Sequence, residues 1–168
     1  QTREGPLMAQ YGGYRIEDEP RPGALAKFAV SPFWPLLGLM LGGAWLGLPW
    51  FVFNSIAVGS PTRVREWILA GVALVGSIVI GFALLQLVGA GYIQTPAEIQ
   101  YALLVLVVWK LTIGYLLYMQ QNATIEIYQY YGGELNRFGL PLALIGGFVL
   151  KGMVVKWLPY TLWYLVVS

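Results

Sequence analysis

Two stretches of this chain, residues 33–58 and 67–93, contain no formally charged side chain. A helix of about 20 apolar residues spans the roughly 30 Å of a bilayer's hydrocarbon core, so either stretch is long enough to cross. Two further apolar runs follow at about 98–121 and 138–168, each interrupted by lysine. The rest of the composition agrees. The 168 residues are 58% hydrophobic and 11% charged, with a mean hydropathy of +0.65, whereas about 25% of residues are charged in ordinary globular domains. The sequence therefore reads as an all-α integral membrane protein with four transmembrane helices, at about 33–58, 67–93, 98–121 and 138–168. A polar arm, residues 1–30, precedes them, extended or partly disordered around Pro20 and Pro22.

Local signals mark some boundaries. Thr95, Pro96 and Glu98 form the pattern of a helix start: a capping hydroxyl, proline in the first turn and a carboxylate three residues after the cap. Gly132 and Gly133 read as a helix stop. Pro49 is expected to kink the first helix, and a hairpin or re-entrant segment folded at 47–49 is the competing arrangement. The last run reads as one long crossing kinked at Pro159, with residues 158–168 lying along the interface as the alternative. Trp34, Trp50, Trp67, Trp157 and Trp163 fall near predicted helix ends, as in interfacial aromatic belts. Trp45 and Trp109 lie deeper and are expected to pack between helices.

Small residues recur at helical spacing. Gly38, Gly42, Gly43 and Gly47 in the first run, and Ala73, Ser77 and Gly81 in the second, form faces that allow close helix approach in lipid. The conspicuous ionisable groups at depth are Lys110, Lys151 and, nearer an end, Lys156. If the third and fourth runs are antiparallel neighbours, Lys110 and Lys151 lie within roughly 8 Å of the same depth at about 1.5 Å per helical residue. All eight acidic residues lie outside the runs or at their edges. The lysines are thus expected to snorkel, to lose their charge, or to meet an anion, a lipid phosphate or a partner's carboxylate. Asn54, Gln86 and Thr112 are expected to make interhelical or backbone hydrogen bonds.

Several chemistries are excluded. With no histidine and no cysteine, the chain has no imidazole general base, thiol nucleophile, disulfide or thiolate metal site. A net charge of +2 gives no footprint for nucleic acid, and no phosphate-loop or dinucleotide pattern occurs. No metal or cofactor is expected. The reading that follows is a non-catalytic membrane subunit, assembling with other membrane proteins or with copies of itself through the small-residue faces and intramembrane lysines, among membrane lipids. A small homo-oligomeric channel or transporter for an anion or anionic lipid is the alternative. An enzyme acting on a lipid or polyprenyl phosphate is a third. Location in a plasma or inner membrane is expected. Basic residues divide evenly between the two sides, and the N-terminus is placed inside because no translocation signal precedes the arm.

Overall fold

A computed structural model describes residues 20, 23–150 and 152–153. They form a small all-α unit. A short 3₁₀ turn, Ala26–Phe28, leads into α1 (Phe33–Gly42) and α2 (Ala44–Val58), followed by the long helices α3 (Arg63–Gly89) and α4 (Pro96–Tyr130). A six-residue α5 (Gly139–Leu144) continues into a single π-helical stretch, Ile145–Leu150. Packing is extensive: α1 lies against α2, α2 against α3, and α3 against α4, while α5 and the π-helical stretch close on α1.

This corrects the expectation of four crossing helices, because among the described residues only α3 and α4 are both long and apolar enough to cross a bilayer. The first run is not one helix kinked at Pro49. It is broken at Gly43, whose φ of 94° and ψ of −175° lie in a region open essentially to glycine alone. The chain reverses there. Gly47 stands against Leu39, where an added Cβ would come within 2.4 Å of the leucine Cβ, and Gly38 stands against the Trp50 ring. In a continuous helix those partners would lie far apart along the axis. Pro49 sits inside α2 without ending it. With 10 and 15 residues, the arms of this hairpin measure about 15 and 22 Å at 1.5 Å per residue, and neither spans about 30 Å. The described part of the fourth run stays helical, changing from α to π at Ile145. Pro159 and residues 154–168 lie outside the described residues.

Of the two long helices, α4 follows its local signals, whereas α3 starts and ends four residues earlier than the expected 67–93. At the start of α4 the Thr95 hydroxyl accepts the Glu98 N–H at 3.3 Å, and a Glu98 carboxylate oxygen accepts the Thr95 N–H at 3.1 Å, a reciprocal cap with Pro96 in the first turn. The helix ends before Gly132, where the Gly133 N–H returns to the Tyr128 carbonyl at 2.9 Å. Of the polar arm, residues 27–30 are held in place. Asn136 donates its backbone N–H to the Ala29 carbonyl and its side-chain amide to the Lys27 carbonyl.

The surface of α3 and α4 is inverted relative to the usual apolar-inside arrangement. The buried side of α3 is Glu66, Ala70, Ala73, Ser77 and Gly81, while Val72, Leu74, Val75, Val79 and Phe82 face outward. On α4, Leu104, Val105, Val107, Val108, Leu116 and Met119 are exposed, and the buried side mixes Lys110, Gly114, Gln121 and Thr124 with Leu106, Ile113, Leu117 and Ile125. Only 22% and 28% of the most apolar windows of the two helices are buried. A core helix in water would hide that aliphatic surface, at about 25 cal/mol per Å².

Gly43 and Gly71 make a direct comparison. Substitution of Gly43 by alanine is expected to cost about 1–3 kcal/mol through its backbone conformation. A Cβ at Gly71, in the middle of α3, meets nothing within 4 Å, and alanine there gains up to about 1 kcal/mol of helix propensity. Thermal unfolding in mild detergent should therefore show a lowered midpoint for Gly43→Ala and an unchanged or raised one for Gly71→Ala. Equal midpoints would contradict the hairpin.

Candidate functional site

Where α2, α3 and α4 converge, the helix interior holds a polar cluster. Asn54 of α2, Glu66 of α3 and Gln121 of α4 are each at most 2% exposed. Gln121 is the hub. Its amide nitrogen donates to the Phe51 carbonyl at 2.6 Å and to Glu66 Oε2 at 2.7 Å, and its Oε1 accepts from Asn54 Nδ2 at 3.1 Å. Asn54 also clasps the backbone of the arm: Oδ1 accepts the Val30 N–H at 2.9 Å, and Nδ2 donates to the Val30 carbonyl at 3.0 Å. Glu66 Oε1 accepts the Ser60 hydroxyl at 2.5 Å and the Thr62 hydroxyl at 2.9 Å. Alongside, the Ser55 hydroxyl donates to the Val52 carbonyl and accepts the Trp67 indole N–H.

The local geometry that places these groups begins at the end of α2. Gly59, at φ 68°, lets the Ser60 N–H return to the Ser55 carbonyl at 3.0 Å, which closes the helix and turns Ser60 and Thr62 toward the first turn of α3. Glu66 is in that turn and points inward. Buried polar groups without partners cost about 1–3 kcal/mol each; here the Asn54 and Gln121 amides use both their donors and their oxygens. Among the described residues, the one buried side-chain polar atom without a partner is Gln120 Oε1. The cluster is thus a structural lock joining three helices and the end of the arm, with its polar atoms turned toward one another.

The sequence-level candidates fall differently. Lys110 is on the buried side of α4, 7% exposed, one turn from Ile113 and Gly114, which pack in the same core as Leu39 and Ala44 of the hairpin. Lys151 and Lys156 lie outside the described residues. Gly38, Gly42, Gly43 and Gly47 are all used within the hairpin and against the π-helical stretch. Ala73, Ser77 and Gly81 face the interior of the unit. The Ala73 carbonyl accepts both the Ser77 hydroxyl at 2.7 Å and the Trp109 indole N–H at 3.2 Å, and the Trp109 ring occupies the space a Cβ at Gly76 would need. Asn54 makes the interhelical bond its polarity implied, and Thr112 bonds back to the Val108 carbonyl on the exposed side of α4. Gln86 is exposed.

Sequence reasoning did not single out Glu66 or Gln121. Beside Arg63 and Arg65, Glu66 looks like part of a solvated loop, and Gln121 is flanked by Gln120 and Asn122 on an apparently emerging helix. The available signal was that Glu66, Ala70, Ala73, Ser77 and Gly81 share one helical stripe, which puts the carboxylate on the small-residue face.

Two apolar grooves flank α2 on either side of a ridge made by Trp45, Pro49 and Phe53. One, of about 480 Å³, runs between α2 and α3; the other, of about 570 Å³, runs between α2 and α5. No protein-family model matches this chain, and no curated protein or solved structure matches it either.

The lock is testable by truncation of its hub. Gln121→Leu strips donors from Glu66 and the Phe51 carbonyl and an acceptor from Asn54, at a cost of about 1–3 kcal/mol per buried group left unpaired. A large fall in unfolding midpoint is expected for Gln121→Leu and little change for Thr112→Val on the exposed face. Comparable small effects would remove the cluster's structural role.

Proposed function

We propose that this chain is a non-catalytic membrane subunit that crosses the bilayer with α3 and α4 and inserts the α1–α2 hairpin from one side. The observation that carries this reading is the surface of α3 and α4, with aliphatic side chains outward along both helices and Glu66, Ser77, Gln121 and Thr124 inward. In hydrocarbon that arrangement is the favourable one, because exposed aliphatic surface costs nothing there and polar groups must find partners within the protein. The hairpin fits the same environment. Its arms reach about half to three-quarters of the roughly 30 Å hydrocarbon thickness, and both ends stand beside the polar cluster, on the side of the membrane where Val30, Ser60 and Gln121 meet.

A subunit role is supported by how the polar groups are used. The Asn54, Glu66 and Gln121 side chains are engaged with one another and with backbone, so they hold the helices together and present no reactive atom to a substrate. An anion channel or transporter needs polar groups along an open route, and a lipid-phosphate enzyme needs a positioned acid or base beside its substrate; the closed cluster favours neither. The small-residue faces are occupied inside the unit and Lys110 is buried within it, so a partner would meet other surfaces. The apolar groove between α2 and α5, lined by Leu46, Trp50, Phe138 and Leu142 among others, is the seat this reading assigns to a helix of another membrane protein.

The test is purification from the native membrane in mild detergent followed by native mass spectrometry. Other membrane polypeptides are expected to copurify in fixed stoichiometry, and Phe138→Arg, which puts a charge into that groove, is expected to release them. A folded lone monomer would contradict the subunit assignment.

A further inference from the structure

We propose that the groove between α2 and α3 is a binding site for one acyl chain of an anionic phospholipid, whose phosphate is held by Arg63; the proposal rests on the membrane reading above. The groove walls are apolar and include Trp45, Phe53 and Ile56 of α2 and Trp67, Gly71 and Leu74 of α3. Along α2 it extends from Ala44 to Ile56, about 18 Å at 1.5 Å per residue. That is close to one leaflet's share, about 15 Å, of the hydrocarbon thickness. A single acyl chain matches this length, whereas a crossing helix would overrun it.

The headgroup end is equally specific. Trp67 and Ile56 mark the end of the groove near the connection between the helices, and Arg63 lies one turn beyond Trp67. Positions 63, 67, 70, 71 and 74 fall on one stripe of α3, so Arg63 stands on the face that lines the groove. Arg63 is exposed, and its guanidinium has no hydrogen-bond or ion-pair partner among the described residues. Guanidinium binds phosphate through paired, charge-assisted N–H bonds, and a basic side chain beside a membrane surface favours anionic over zwitterionic lipid. The Trp67 indole N–H is already used by Ser55, which leaves the ring face as an apolar wall. Gly71 keeps the middle of the groove open: a Cβ there meets nothing within 4 Å.

The full chain should be reconstituted in phosphatidylcholine vesicles carrying a minor fraction of lipid with brominated acyl chains, either phosphatidylglycerol or phosphatidylcholine, and tryptophan quenching compared. Trp67 lines this groove and not the one between α2 and α5, so the quenching lost in Trp67→Phe reports its occupancy. Brominated phosphatidylglycerol is expected to quench at roughly fivefold lower concentration than brominated phosphatidylcholine, the preference that one basic group gives at an anionic surface. Arg63→Gln should bring the two lipids to equality. Gly71→Leu, whose Cβ meets nothing within 4 Å and whose branch extends into the groove, should weaken quenching by both. Equal quenching by the two lipids in the unaltered chain would overturn the anionic site. Selectivity that survives Gly71→Leu would overturn the groove as its location. Quenching by neither lipid would overturn the membrane reading itself, and the lipid site with it.

Discussion

One side-chain amide ties together most of what is unusual in this chain. Gln121 joins α4 to the last turns of α2 through the Phe51 carbonyl and Asn54, and to the first turn of α3 through Glu66. Asn54 passes the connection to the backbone at Val30, and Glu66 passes it to Ser60 and Thr62 in the loop. Each bond would contribute modestly in water, where both groups have alternatives. In a low-dielectric interior the bonds strengthen and the alternatives vanish, so the network fixes which faces of three helices meet. The small residues below it, Ala73, Ser77, Gly76 and Gly114, then allow close approach, with Trp109 bridging α3 and α4.

The hairpin depends on that lock. Two short helices reversing at a single glycine have little to hold them apart from their neighbours. Leu39 and Ala44 near the tip pack into the same core as Ile113, Leu117 and Phe51, and the open ends are fastened by Asn54 and Val30. In the proposed membrane arrangement this hairpin is a half-depth insertion beside two longer helices, which would place the grooves flanking α2 within one leaflet and Arg63 at the head of one of them.

Much of the long-helix architecture was legible in the sequence. Thr95, Pro96 and Glu98 act locally, within one turn, and their cap forms as the pattern implies. The break at Gly43 was not legible, because a hairpin inside hydrocarbon and a helix that crosses it ask for the same uncharged composition. Among several glycines near the reversal, only tertiary packing selects which one leaves the helical region. Pro49 drew attention to the wrong place, since a proline within a helix is tolerated when the surroundings pack well. Glu66 and Gln121 were obscured for a related reason. Each sits among polar neighbours, and the distinction rests on rotation about the helix axis by one residue, which the contact between the two side chains decides. The lysines stood out by the opposite logic, as charges in apolar runs, and Lys110 proves to lie within the interior.

In the proposed arrangement residues 33–58 enter and leave on one side while α3 and α4 cross. Because the chain has no cysteine, single cysteines can be introduced at exposed positions and labelled with a membrane-impermeant thiol reagent in sealed vesicles of known orientation. Ala24→Cys and Pro61→Cys flank the hairpin, and Tyr92→Cys lies in the connection between α3 and α4. The account predicts that Ala24→Cys and Pro61→Cys label from the same face and Tyr92→Cys only from the other. Labelling of Ala24→Cys and Pro61→Cys from opposite faces would restore a single crossing helix at 33–58 and contradict the hairpin, and labelling of all three from one face would contradict the crossing of α3 and α4.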